Sequence, residues 1–338
     1  MTQPFEQLEL EFGQFIGNPN TVAVSSGTAA LHIACEVART KMTDDVTGEV
    51  KPSIAIPEYT MVACARAAAM ADLDIHFVDC NDDLQMNMDL VPDQMHIVMA
   101  VHIYGNVCNV YEAHRKPYGP LVIEDMAEVH GAEPHPDSFA ACWSFYKNKT
   151  IHGEEGGMIA FKNPQDVRLA KQLRTLGFDD NHDYFHVPRG VNARMSNAHA
   201  ELILPSLRNF KQNKKHKHYL ANTYDNCVPK RWFKPVCIYP WIYPLRIKGM
   251  DHFQQHELVK RLNEKGIAAR QGFKSMKLQA EFEHLRGNPF LQTNAMRLQH
   301  EIVYLPLSET MTRDDVARIC DELMNVAKIV IPLLTPAD

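Results

Sequence analysis

Seven short apolar runs alternate with helical patterns through the first half of the chain, at residues 21–24, 53–57, 75–78, 97–102, 121–124, 140–144 and 158–161. Runs of this length bounded by turn residues read as strands. Their alternation with helices implies an α/β fold with a mostly parallel sheet and crossover helices. Residues 28–40 put Leu31, Ala34 and Ala38 on one helical face, and residues 61–71 form a second helical pattern. Residues 40–52 are polar and charged, which predicts a surface loop.

Residues 196–227 are helical in pattern and carry a basic run at 211–217, read as a solvated face. Beyond Pro235 the pattern changes. Strand-like 236–239 and 241–247 precede helical 253–265 and a last helix at 312–326. At 338 residues the chain is long for one compact unit. We expect a large domain over residues 1–228, including the long connecting helix, and a smaller α+β domain over 229–338.

Several function classes recede on composition. Lys and Arg number 35 against 41 Asp and Glu, a net charge of -6, so no basic field invites nucleic acid. No apolar run approaches eighteen residues, which argues against a membrane-spanning helix. Residues 1–10 are acidic and lack an apolar stretch, so no signal peptide is expected. The eight cysteines contain no C-x-x-C pair, and several sit in apolar runs. They read as buried free thiols of a cytoplasmic protein, and no metal site is expected.

Three places carry chemistry. Ser26-Gly27-Thr28 ends an apolar run and opens an Ala-rich helix, where glycine permits close backbone approach and the helix N-terminus favours an anion. The plain alternative is a turn with Ser26 as N-cap. Glu124 and Asp125 end a strand at the edge where open α/β sheets bind ligands, and either acid could face a ligand or cap the next helix. Lys147 and Lys149 follow Trp143-Ser144-Phe145 and precede the turn Gly153 to Gly157. A lysine that forms a Schiff base must be partly desolvated, and that setting suits either of them.

The motifs taken together resemble the DegT/StrS family of sugar aminotransferases, which depend on pyridoxal 5'-phosphate (PLP). The likeness runs through Ser26-Gly27-Thr28-Ala29-Ala30-Leu31, Pro57-Glu58-Tyr59-Thr60, Phe77-Val78-Asp79 and Val101-His102-Ile103-Tyr104-Gly105. It continues through Ile123-Glu124-Asp125-Met126-Ala127-Glu128, Ser144-Phe145 with Asn148-Lys149, and Gly190-Val191-Asn192-Ala193-Arg194-Met195. It implies the type I aspartate aminotransferase fold, with a large seven-stranded, mostly parallel sheet and a smaller C-terminal α+β domain.

The resemblance makes Lys149 the Schiff-base lysine and Asp125 the partner of the cofactor's ring nitrogen. Glu128 would lie near the phenolic oxygen, Met61 against the ring, and Gly27, Thr28 and Ser144 at the phosphate. Asn192 would reach that phosphate from a neighbouring subunit, which implies a homodimer with a shared active site. L-glutamate would give its amine, leaving 2-oxoglutarate and pyridoxamine 5'-phosphate, which then aminates a nucleotide-linked keto sugar. Tyr184-Phe185-His186 and the run from Arg270 to Met276 resemble segments of the perosamine synthase-like branch, whose substrate is a GDP-linked 4-keto-6-deoxy sugar. By that analogy His186, Arg194 and Lys274 are candidate substrate contacts.

The chain departs from the family pattern at Met61, where many relatives carry an aromatic, and at Glu154-Glu155-Gly156-Gly157, which has an extra acid. It also begins a few dozen residues later than many relatives. Two alternative readings stay open. One is a sugar 3-dehydratase of the same family, which Lys149 opposes although His152 is close in sequence. The other is a catalytically silent relative.

Overall fold

The structure is a computed structural model, which describes residues 2–42, 51–178, 184–230, 232, 238–287 and 291–331. Strands β1 (Thr21–Val24), β2 (Ser53–Pro57), β3 (Asp74–Val78), β4 (Ile97–Val101), β5 (Leu121–Asp125), β6 (Ala140–Ser144) and β7 (Gly157–Phe161) form one sheet, in the order β1-β7-β6-β5-β4-β2-β3. Each matches an apolar run of the sequence to within a residue. From β6 through β5, β4 and β2 to β3 the strands are parallel, while β7 runs antiparallel to both β1 and β6.

The central strands are covered on both faces, so they read as continuous apolar runs. The edge strand β3 instead alternates, exposing Asp74 and His76.

The helices are α1 (Pro4–Ile16), α2 (Gly27–Met42), α3 (Val62–Met70), α4 (Val110–His114), α5 (Pro164–Leu173), α6 (Asn197–Arg208), α7 (Phe210–Cys227), α8 (His252–Glu264), α9 (Asn294–Leu298) and α10 (Arg313–Val330). Helix α2 buries Leu31, Ala34 and Ala38 as expected, but every residue from Ala30 to Ala38 is buried, so it is covered on more than one face. Helix α1 was not legible from an acidic N-terminal stretch. It forms because Leu8 and Phe12 fall on one face, and Phe12 packs edge-on to Trp143 and Phe145 at 5.1 and 5.3 Å.

The helical pattern at 196–227 divides at Asn209 into α6 and α7. The basic run needs a correction. Lys211 and Lys215 are exposed, but Lys217 is buried on the α7 face that also carries Leu220 and Tyr224, and its Nζ donates to the Trp241 carbonyl at 3.3 Å. Its aliphatic stem lets the apolar stripe continue through a charged position.

The smaller unit is an antiparallel sheet, β8 (Tyr243–Arg246), β9 (Arg270–Gln271) and β10 (Ile302–Leu305), in the order β8-β10-β9. Leu245, Val303, Leu258 and Leu323 lie in its core, which α7, α8 and α10 complete. The strand expected at 241–247 is shorter, and no strand forms at Ile238 and Tyr239; residues 236 and 237 lie outside the described residues, as do 43–50 of the expected loop.

Polar ties join the smaller unit to the large sheet. At the end of β2, buried Glu58 accepts hydrogen bonds from Ser275 Oγ at 2.5 Å and Thr293 Oγ1 at 2.6 Å, and pairs with Lys277 at 3.1 Å. Asp79, just past β3, accepts from the N–H groups of Asn294 and Ala295.

Cys35, Cys64, Cys80, Cys108, Cys142 and Cys320 are buried free thiols, whereas Cys227 is exposed and Cys237 lies outside the described residues. Among the described residues no helix is long and apolar enough to cross a membrane.

Candidate active site

The C-terminal ends of β2, β4, β5 and β6 open onto a cavity of about 340 Å³, within the range of small-molecule sites. Gly27, Thr28, Met61, Asp125, Glu128, Ser144 and Lys149, all singled out from the sequence, line it.

One end of the cavity is built by close backbone approach. A Cβ on Gly27 would lie 2.7 Å from Ser144 Cβ, and one on Gly157 would lie 2.3 Å from the Ser26 carbonyl oxygen. Only glycine lets the first turn of α2, the end of β6 and the start of β7 meet here. Ser26 does act as a cap, its Oγ accepting from the Ala29 N–H at 3.1 Å. Helix N-termini present further N–H groups without intrahelical acceptors, so the cap leaves donors there that an anion can use.

Strand pleating separates the two acids at the end of β5, because successive side chains point to opposite faces. Glu124 turns away from the cavity to His102 Nε2 at 3.0 Å and the His135 N–H at 2.8 Å. His102 Nδ1 already accepts from the Cys108 N–H, so Nε2 carries the proton that Glu124 takes. Burial pushes the Glu124 carboxyl up, but bonds from His102, Ser138 and the His135 N–H outweigh it and leave it below its ordinary value.

Asp125 faces the cavity. Its Oδ1 accepts from the Ala127 N–H at 3.0 Å and its Oδ2 from Cys64 Sγ at 3.2 Å. Burial first, then the charge of Asp125, hold the Cys64 thiol well above its usual range, so it stays a donor.

The two lysines are separated by burial. Lys147 is exposed, whereas the Lys149 side chain is only 11% exposed. Lys149 Nζ lies 3.6 Å from Glu128 Oε1 and 3.7 Å from the centroid of the Trp241 ring. Burial raises the Glu128 carboxyl above its ordinary value, and Lys149 and the Tyr104 N–H, 2.7 Å from Oε2, offset this only in part. Nearby His130 is pushed down to about 3 by burial, then by the Lys149 and Lys217 charges, and stays a neutral acceptor for the Ile151 N–H.

Of the opposite wall the sequence marked only the run from Arg270 to Met276, and that by resemblance. Tyr104 adopts a left-handed backbone at φ 53°, which turns its ring onto Phe273 at 5.3 Å, stacked. Its hydroxyl lies 3.0 Å from that of Tyr59 and accepts from the Phe273 N–H. Trp241, Arg270, Phe273 and Tyr304 reach the cavity from the smaller unit. The run from Arg270 to Met276 thus does meet the site, but its cavity residues are Arg270 and Phe273. Lys274 is half-buried outside it, its Nζ donating to Gln255 Oε1 at 3.0 Å, and burial lowers its amine from the usual range.

Asn192, Arg194 and His186 are exposed and lie outside the cavity of their own chain; His186 Nδ1 is 2.9 Å from the Leu176 carbonyl. His152 also lies outside, paired with Glu309 at 3.1 Å. Among the described residues no cluster of His, Cys, Asp or Glu is arranged to hold a metal.

The cavity can therefore receive an elongated ligand with an anionic group at the α2 end and a cationic nitrogen at Asp125, and it holds one shielded amine beside it. Residues 2–324 match the model of the DegT/DnrJ/EryC1/StrS aminotransferase family. The GDP-perosamine synthase of Caulobacter vibrioides is 26% identical over 342 residues, covering 95% of this chain and 89% of that protein. A Streptococcus pneumoniae protein described as a sugar aminotransferase, solved in its PMP form, superposes with a TM-score of 0.87 at 19% identity, covering 98% of this chain and 92% of that one. Helicobacter pylori PseC, an aminotransferase involved in pseudoaminic acid biosynthesis, gives 0.83 at 17% identity, covering 96% and 91%. The two structural likenesses show a shared fold.

Proposed function

From the premise that the chain belongs to the DegT/DnrJ/EryC1/StrS aminotransferase family, we propose that it uses PLP to move an amino group from L-glutamate to the keto carbon of a nucleotide-linked keto-deoxy sugar. Similarity to GDP-perosamine synthases across nearly the whole chain favours a GDP-linked 4-keto-6-deoxyhexose. The observation that carries the reading is the convergence of Lys149, Asp125, Glu128 and the Gly27–Ser144 cradle on one cavity.

These residues fit the cofactor. The start of α2, with the Thr28 and Ser144 hydroxyls, would hold the phosphate, and Asp125 the ring nitrogen. Glu128, raised by burial, would share a proton with the phenolic oxygen, and Met61 would lie against the ring. When bound, the cofactor supplies an aldehyde carbon and an electron-withdrawing ring. Asp125 would keep the proton on the ring nitrogen. Lys149 Nζ would take a proton from the amino-bearing carbon of glutamate and return one to the sugar carbon in the reverse sense. The aromatic wall of Trp241, Phe273 and Tyr304 limits water at that amine.

The exposed positions of Asn192 and Arg194 suit a homodimer in which both reach the neighbouring subunit's site. His186 would contact the sugar nucleotide. Lys274 is held by Gln255, so Arg270 is the cation this segment offers to a substrate anion. The dehydratase reading draws no support from His152, which is engaged by Glu309.

The test is the visible spectrum of the purified protein with PLP, before and after L-glutamate. A lysine-bound cofactor band that glutamate converts to the amine form supports the proposal. A band that glutamate leaves unchanged, or no band, overturns it.

A further inference from the structure

Trp241 comes from outside the large sheet, just ahead of β8, and is 5% exposed. Its carbonyl is held by buried Lys217, and its ring lies at a tilt against Tyr304, 6.4 Å between centroids. The free face of that ring carries Lys149 Nζ at 3.7 Å, with Glu128 Oε1 completing the surround at 3.6 Å. An aromatic face attracts a cation out to about 6 Å, tryptophan most strongly, and the attraction grows as water is removed. Lys149 meets all three conditions.

We infer that Trp241 is a positioning residue for Lys149: its ring face and Glu128 form a seat that holds the lysine ammonium whenever that amine is not bonded to the cofactor. The use of the seat rests on the function proposed above, whereas the seat itself does not. A lysine has four rotatable side-chain bonds, and a free ammonium gains hydration by swinging into water. The ring supplies an interaction that competes with hydration, so the amine remains beside the carbon it must protonate. Leucine at 241 would keep an apolar wall without the ring's negative face, and phenylalanine would keep a weaker face.

Indole emission in the cofactor-free protein reads the contact directly, since an ammonium packed on an indole quenches it. Lys149→Met is expected to raise tryptophan emission in the wild-type background and to leave it unchanged in a Trp241→Phe background, where Trp143 and Trp232 remain. No rise, or the same rise in both backgrounds, overturns the seat.

In the loaded enzyme, Trp241→Leu is expected to lower kcat about tenfold and Trp241→Phe less than about threefold, with KM for glutamate within about twofold. Equal losses in the two variants would leave only bulk at work and overturn the electrostatic role. A wild-type protein without PLP-dependent turnover would sink the proposed function and leave the emission result standing. Turnover without quenching that depends on Lys149 would sink the seat alone.

Discussion

Cys64 Sγ sits 3.2 Å from Asp125 Oδ2, which places a protonated thiol behind the carboxylate that faces the cavity. Its single proton goes to Asp125, so the Thr60 hydroxyl, 3.3 Å from the sulfur, must donate to it in turn. With the Ala127 N–H on the other oxygen, the carboxylate plane is set from both sides. Serine at 64 keeps a donor of similar size and alanine does not. Cys64→Ser is expected to retain glutamate turnover within about threefold and Cys64→Ala to lose about tenfold. Steady-state rates for folded variants decide it, and equal rates would remove any role for the thiol.

Burial distinguishes two lysines that are two residues apart. Lys149→Ala should abolish the visible band of lysine-bound PLP, while Lys147→Ala, at an exposed position, should leave it intact. Spectra of the two variants titrated with PLP check the assignment, and the reverse pattern would transfer the role to Lys147.

Glu124 and Glu128 should give stability slopes of opposite sign. The folded chain favours ionised Glu124, whose value falls below 4.5, and protonated Glu128, whose value rises above 4.5. The Glu124 contribution is present above 4.5 and lost as pH falls through its lowered folded value. That of Glu128 is present below 4.5 and lost as pH rises through its raised folded value. Glu124→Gln should therefore lower the melting temperature at neutral pH, with the deficit closing in acid. Glu128→Gln in the cofactor-free protein should gain on wild type as pH rises above 4.5. Melting curves across that range would refute this if the slopes share a sign.

Glu58 is fully buried where β2 meets the smaller unit. Glu58→Ala strands the Lys277 ammonium and the Ser275 and Thr293 hydroxyls without their acceptor. The expected cost is about 3 kcal/mol. Urea denaturation measures it, and a loss below about 1 kcal/mol would mean that the clasp relaxes onto other partners.

Local pattern carried much of the fold. Val22, Ile54, Met99 and Ile123 sit in strands buried on both faces, which leaves continuous apolar runs in the sequence. Pattern also marked the cavity floor at Gly27, at the acid pair Glu124 and Asp125 and at the lysine pair Lys147 and Lys149, while the choice within each pair came from the family resemblance. The wall opposite was legible only through the run from Arg270 to Met276. Trp241 and Phe273 meet Lys149 and Tyr104 across more than ninety residues of chain, and no periodicity encodes such a meeting. Lys217 was misread because composition shows a basic run without showing which face of α7 is covered, whereas the segment of Lys274 reaches the cavity through Arg270 and Phe273.

The reversed direction of β7 governs how the lysine is mounted. Since β6 and β7 are antiparallel neighbours, residues 145–156 form the loop of a hairpin, not a crossover between parallel strands. Phe145 and Gly156 bond across its base, and Gly153 bonds back to Phe145, so both feet of the loop stand on the sheet. The lysine's backbone is thus fixed to the floor, while Trp241 and Phe273 hang from the smaller unit as a roof. Any relative movement of the two units shifts the ring face that meets Lys149 Nζ, while the lysine's backbone stays in register with Gly27 and Ser144. The mounting of the lysine thus belongs to one unit and the ring that faces its amine to the other.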